Sequence, residues 1–181
     1  STATTALLSK RLDVDDNQSY MMWIATNLNS RISSNSIAGG TISTATTYVA
    51  STVYSGASTT VANYINGSNA SSGTAPSSIP NNASDLYIGA FDVSSGENRN
   101  LDGRIAEAIV YTSALNAAQR QIVENSLSSK YGFTLSAGDV YTGDTGGNGN
   151  YDFEVAGIGR ASGTTHTEAN SAGFILSTYN G

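Results

Sequence analysis

The sequence predicts an all-β protein: a two-sheet antiparallel jelly-roll sandwich with one short α-helix and a β-rich C-terminal extension. Three observations lead to this class. Most of the chain is Ser/Thr/Asn/Gly-rich, with short apolar or β-branched runs separated by turn residues. One amphipathic helical pattern follows a long β region. Strands and helices do not alternate as an α/β enzyme requires.

The elements follow in order. Ala6-Leu7-Leu8 is a short apolar patch, and residues 13–17 (DVDDN) form an acidic turn. Residues 19–25 (SYMMWIA) are apolar enough for a strand buried on both faces. Residues 31–37 and 40–42 read as weak strands around a Gly39-Gly40 turn. In residues 46–54 (TTYVASTVY), Tyr48, Ala50, Thr52 and Tyr54 share one strand face and Val49, Ser51 and Val53 the other. Residues 60–65 form a further strand, closed by Asn66-Gly67. Asn-Gly is a strong hairpin signal, because both central residues of a type I′ turn need positive φ.

Residues 68–84 read as a loop holding both prolines, Pro76 and Pro80. Residues 86–91 (LYIGAF) are a strand and 92–100 a polar loop. Residues 104–112 (RIAEAIVYT) carry the strongest strand pattern of the chain, with a bulge or two-sided burial. The helix is expected from Ala117 to Tyr131. Asn116 is its N-cap, Gln119 completes a capping box, and Gly132 terminates it. Ala118, Ile122, Val123, Leu127 and Tyr131 form a stripe expected to pack on a sheet. From Ser136 the texture changes to a glycine-rich segment followed by two strand candidates. The expected division is a jelly-roll domain over 1–136 and a Gly-rich linker with β-rich extension over 137–181.

Composition narrows the partners. Charged residues are 12% of the 181, about half the ~25% usual in soluble domains. Such neutral, hydroxyl-rich surfaces are commoner in secreted proteins. The formal net charge is −6, and the eight basic residues are scattered from Lys10 to Arg160. That disfavours nucleic acid, which needs clustered cations, and docking to anionic lipid. No apolar run reaches the ~18 residues of a membrane-spanning helix, so no membrane insertion is expected. The absence of Cys removes disulfides, zinc-thiolate sites and a Cys nucleophile.

The order of motifs over residues 61–135 carries a resemblance. Tyr64-Ile65-Asn66-Gly67 is followed by Leu86-Tyr87-Ile88-Gly89 and then Leu101-Asp102-Gly103-Arg104-Ile105-Ala106-Glu107. Ile109-Val110-Tyr111, Ala114-Leu115 and Lys130-Tyr131-Gly132 complete it. This order resembles a laminin-G-like, concanavalin A-like jelly-roll module of large microbial surface proteins. Val155-Ala156-Gly157-Ile158-Gly159-Arg160 resembles the start of an extension that often follows the module, although Ala161-Ser162-Gly163 replaces the acidic residues usual after the Arg.

The resemblance implies a non-catalytic extracellular module at a microbial cell surface, acting in adhesion or carbohydrate binding. Its partner would be a glycan or cell-surface polymer. The alternative is a structural subunit of a filament or surface layer, built from copies of itself by strand complementation. That alternative arises because the strand that usually opens the family, ahead of Ala6–Leu8, has no counterpart here.

Candidate chemistry is sparse. Asp13, Asp15 and Asn17 could hold a hard cation, so calcium is the one candidate ion and no cofactor is required. Gln18 and Ile24 stand where an EF-hand loop needs Gly and Glu, and a solvated turn is the ordinary reading. Tyr48 and Tyr54 share a face of an otherwise polar strand and are candidates for stacking on sugar rings. Trp23, beside Met21 and Met22, reads as core. Glu107 lacks a same-face carboxylate at the spacing of a glycosidase pair, roughly 5–9.5 Å. Asp152 and Glu154 have suitable parity but no catalytic companion. His166 is the only histidine and lies in a polar stretch. No catalytic residue is assigned.

Overall fold

The computed structural model describes residues 4–11, 18–91, 99–149, 151–153, 155 and 159–167. Described residues fall into two compact units. The first comprises 1–46, 50–65 and 69–114, and the second 47–49, 66–68 and 115–181.

The first unit is a sandwich of two antiparallel sheets. Its strands are β1 (Thr5–Arg11), β2 (Gln18–Ile24), β3 (Asn27–Ile32), β4 (Asn35–Thr41), β5 (Ala50–Ser55), β6 (Thr60–Ile65), β7 (Ser68–Thr74) and β8 (Tyr87–Ile88). A five-stranded sheet runs β4-β3-β2-β1-β8, and a three-stranded sheet runs β5-β6-β7. Strands β3 and β4 pack against β6. On β3 the alternation is complete, with Leu28, Ser30 and Ile32 buried and the residues between them half-buried. Ile32 meets Val61 and Ala75 across the interior, flanked by Tyr20, Ile37 and Tyr54. A second cluster joins Ala6, Met21 and Phe91, with Trp23 packed on it, so Trp23 is core. Arg11 and Arg99 lie over the Phe91 ring at 5.2 and 5.5 Å from its centroid.

The β6–β7 hairpin turns at Asn66 and Gly67, whose φ values of 47° and 84° are those of the expected turn. That turn returns the chain along β6, so 68–74 is strand β7 rather than loop. The segment SNASSGT holds few β-formers, and its pairing comes from the turn instead of its own pattern.

Two other expectations are corrected. The turn before β4 falls at Ser33-Ser34, with Ser33 at φ 53°, and Gly39-Gly40 lies inside β4. Gly39 is there for space: a Cβ on it would collide with the carbonyl oxygen of Ala70 and lie 2.6 Å from Ser71 Cβ. The second correction is larger. Residues 104–112 form no strand and are exposed throughout. Strand β8 is only two residues long and leaves the sheet at Gly89, φ 74°. The Gly89 N–H donates to Leu7 O at 2.9 Å and the Leu101 N–H to Gly89 O at 2.8 Å. Among the described residues, 104–112 meet no strand edge, and a β-forming sequence without a partner strand cannot build a ladder.

Helix α1 (Ala117–Tyr131) belongs to the second unit, with β9 (Gly159–Ala161) and β10 (Thr164–His166). The capping box at Asn116 and Gln119 and the left-handed Gly132 are as expected. The buried face is not. Ala118, Glu124, Asn125, Ser128 and Ser129 are buried, whereas Ile122, Val123 and Leu127 are half-buried and Tyr131 is exposed.

Candidate functional site

The helix can bury a polar face because each group on it is matched. Arg120 Nη1 donates to both Glu124 carboxylate oxygens, at 2.8 and 2.6 Å, and to Gly67 O at 3.3 Å. Glu124 is 2% exposed, so this i, i+4 pair is a shielded one. Asn125 binds on all sides: its amide donates to Gln121 O and Gly138 O at 2.8 and 2.7 Å. Its Oδ1 accepts from the N–H groups of Val140 and Tyr141, each at 2.9 Å. Ser129 Oγ donates to Asp152 O at 2.9 Å, and Ser128 Oγ to Phe133 O.

The helix N-terminus holds the β9–β10 hairpin. Asn116 uses both halves of its amide: Oδ1 accepts from the Gln119 N–H, and Nδ2 donates to Thr165 O at 3.0 Å. The Ala118 N–H, an otherwise orphaned donor of the first turn, donates to Thr164 Oγ1 at 3.2 Å. The Asn66-Gly67 turn completes the surroundings. Asn66 O accepts from the Ser136 and Ala137 N–H groups, at 2.8 and 3.2 Å.

These pieces enclose a cleft of about 440 Å³ within the second unit. Arg120, Gln121 and Glu124 come from the helix, Gly138 and Val140 from the segment after it, and Arg160 from β9. Its volume lies in the range of small-molecule sites, roughly 300–1,000 Å³. Arg120 and Glu124 neutralise each other. Arg160 is exposed, and among the described residues nothing accepts from its guanidinium. Among the described residues, the cleft therefore carries one positive charge with no acceptor beside it, on a chain of net charge −6.

The residues singled out in the sequence are scattered. Tyr54 lies on β5, half-buried against Ile32, Val61 and Ala75, and its hydroxyl donates to Pro76 O at 2.9 Å. Tyr48 precedes β5, is half-buried, and falls in the second unit. Asp13, Asp15 and Asn17 lie outside the described residues, as does Glu154. Glu107 sits in the exposed, strandless segment, so the parity argument made for it does not apply. His166 is half-buried on β10, paired with Gly159. The Arg120–Glu124 pair is readable from i, i+4 spacing. The role of Asn125 and the placement of Arg160 had no local signal.

A two-sheet antiparallel sandwich is the architecture of a concanavalin A-like module. The family model described as the Concanavalin A-like lectin/glucanases superfamily, of laminin-G type, matches residues 2–119. The chain belongs to this superfamily. The match reaches into residues 2–60, where the sequence has no diagnostic motif.

Similar solved structures include the following two. One is a candidate carbohydrate-binding protein from Bacteroides ovatus, at 18% identity and a TM-score of 0.49, covering 65% of this chain and 40% of that one. The other is an S-layer domain-containing protein from Clostridium thermocellum, at 16% identity and a TM-score of 0.37, covering 68% and 64%. The chain thus spans less than two thirds of either protein. No curated protein matches it. No helix among the described residues is long and apolar enough to cross a membrane.

Proposed function

We propose that this chain is a non-catalytic extracellular module of a microbial cell-surface protein that binds glycan or a cell-surface polymer. The observation that carries the reading is membership, over residues 2–119, in a superfamily named for lectins and glucanases. The low-charge, hydroxyl-rich composition supports an extracellular setting. In this reading 1–136 is the working module and 137–181 its extension. Tyr54 is the first stacking candidate: its ring packs against the Ile32, Val61 and Ala75 cluster and its hydroxyl is pinned by Pro76 O. A ring held in this way loses little entropy on binding. Tyr48 is the second stacking candidate, and Asp13, Asp15 and Asn17 the place for calcium.

Glycan-array binding of the intact chain, with calcium and with a chelator, tests the reading. Saturable binding that weakens about tenfold in Tyr48→Ala supports it, since stacked aromatics are typical anchors. Binding to no glycan in either condition would exclude it. If the acidic turn holds calcium, chelation should lower affinity.

A second reading, a subunit of a filament or surface layer assembled by strand complementation, is favoured by one feature. Ile105, Ile109, Val110 and Tyr111 are 36–55% exposed on the strandless segment. Leu86 and Ile88, at and beside the edge strand β8, are also exposed. Uncovered β-forming sequence and a short edge invite pairing with another chain. Size-exclusion chromatography and electron microscopy should then show polymers that Val110→Lys abolishes. A monomer at high concentration would remove this reading.

A further inference from the structure

We propose that the cleft of the second unit is an anion-selective subsite that accepts a carboxylate-bearing sugar, with Arg160 as the anchor. The saccharide part rests on the glycan-binding reading above. The charge selectivity rests on the cleft alone.

Four observations carry it. The cavity, about 440 Å³, has the size of a small-molecule site. Among the described residues its ionisable lining groups are Arg120, Glu124 and Arg160, and the first two are paired with each other. Glu124 is buried and both its oxygens already accept from Arg120, so it offers an incoming ligand little repulsion and no open acceptor pair. Arg160 has no acceptor among the described residues. A guanidinium offers a planar fork of donors that matches a carboxylate in two parallel bonds.

The lining apart from these groups suits a sugar ring better than a compact inorganic anion. Ala117, Ala137, Val140 and Ala161 give apolar contact. Gln121 lines the same wall, with its Nε2 donating to Gly138 O at 3.0 Å. Its Oε1 is a side-chain acceptor of the kind a sugar hydroxyl donates to. A hexuronic acid presents one carboxylate, several hydroxyls and apolar C–H faces, which is the combination this lining can match.

The β9–β10 hairpin that carries Arg160 is seated by the Asn116–Thr165 and Ala118–Thr164 hydrogen bonds, not by Arg160 itself. Replacing Arg160 should therefore leave the fold intact, which makes the test clean.

The experiment is calorimetric titration of the intact chain with trigalacturonic acid and with its neutral methyl ester. The free acid should bind at least about tenfold more tightly than the ester, as expected for charge-assisted hydrogen bonds. Arg160→Gln should abolish that preference, and Arg160→Lys should retain part of it, since the charge survives and the fork does not. The preference should shrink with added salt, because the site is open to solvent. Circular dichroism of the variants should match the parent.

Equal binding of acid and ester by the parent would overturn the inference while leaving glycan binding in place. So would a preference that survives in Arg160→Gln. Binding of neither trisaccharide would also overturn it, and the array described above then decides separately whether the glycan-binding reading stands.

Discussion

Asn125→Ala should loosen the helical unit by about 3–5 kcal/mol, the largest single effect expected there. The side chain is 2% exposed and makes four hydrogen bonds. Two of these join the helix to Val140 and Tyr141, whose N–H groups would be left unpaired. A buried polar group stripped of its partner costs roughly 1–3 kcal/mol, and truncation strands more than one. Hydrogen exchange reads the effect at the residues concerned. The Val140 and Tyr141 amides should lose protection first. Asn125→Asp keeps the acceptor but not the donor, so it should preserve more of that protection than alanine does. Unchanged exchange in both variants would mean that Asn125 does not hold the 138–141 segment.

Gly39→Val sets two principles against each other in the sandwich. Valine is a strong β-former and Gly39 lies inside β4, so propensity alone predicts a gain. Packing predicts the reverse. The added Cβ would collide with the Ala70 carbonyl oxygen and approach Ser71 Cβ to 2.6 Å. The obstacle is backbone, which cannot turn aside as a side chain can. We expect a loss of about 3 kcal/mol or more, and a melting temperature lower by roughly 10 °C for a unit of this size. A variant as stable as the parent would mean that β4 and β7 are not this close.

Where a signal was local, the sequence disclosed it. The Asn66-Gly67 turn, the Asn116 and Gln119 capping box and the Gly132 terminator need particular residue types at particular positions, and all are in place. The two-sheet class was legible for the same reason, from turns and short apolar runs. Nonlocal facts were not legible. Strand β7 has almost no β-forming residues and exists because the preceding turn delivers it to β6. Residues 104–112 have the opposite character, a strong strand pattern with no partner edge among the described residues.

The helix carries the same lesson. Its apolar stripe suggested the wrong inner face, because Glu124, Asn125, Ser128 and Ser129 are buried with their hydrogen bonds satisfied, a solution that hydrophobic spacing does not register. Tyr54 was read as a platform from alternation alone. Its contact with Val61 and its bond to Pro76 O required the sandwich. Arg160 gained a role only where β9 brought it beside Arg120, Gln121 and Glu124, 36 to 40 residues earlier in the chain.

Glycan binding without cleavage is most directly tested by affinity electrophoresis of the intact chain through gels containing defined microbial and plant polysaccharides. The expected result is a band retarded in at least one polymer, in proportion to polymer concentration, with the polymer beneath the band still staining intact. Unchanged mobility in every polymer would contradict binding. A cleared zone under the retarded band would show hydrolysis and contradict the non-catalytic reading.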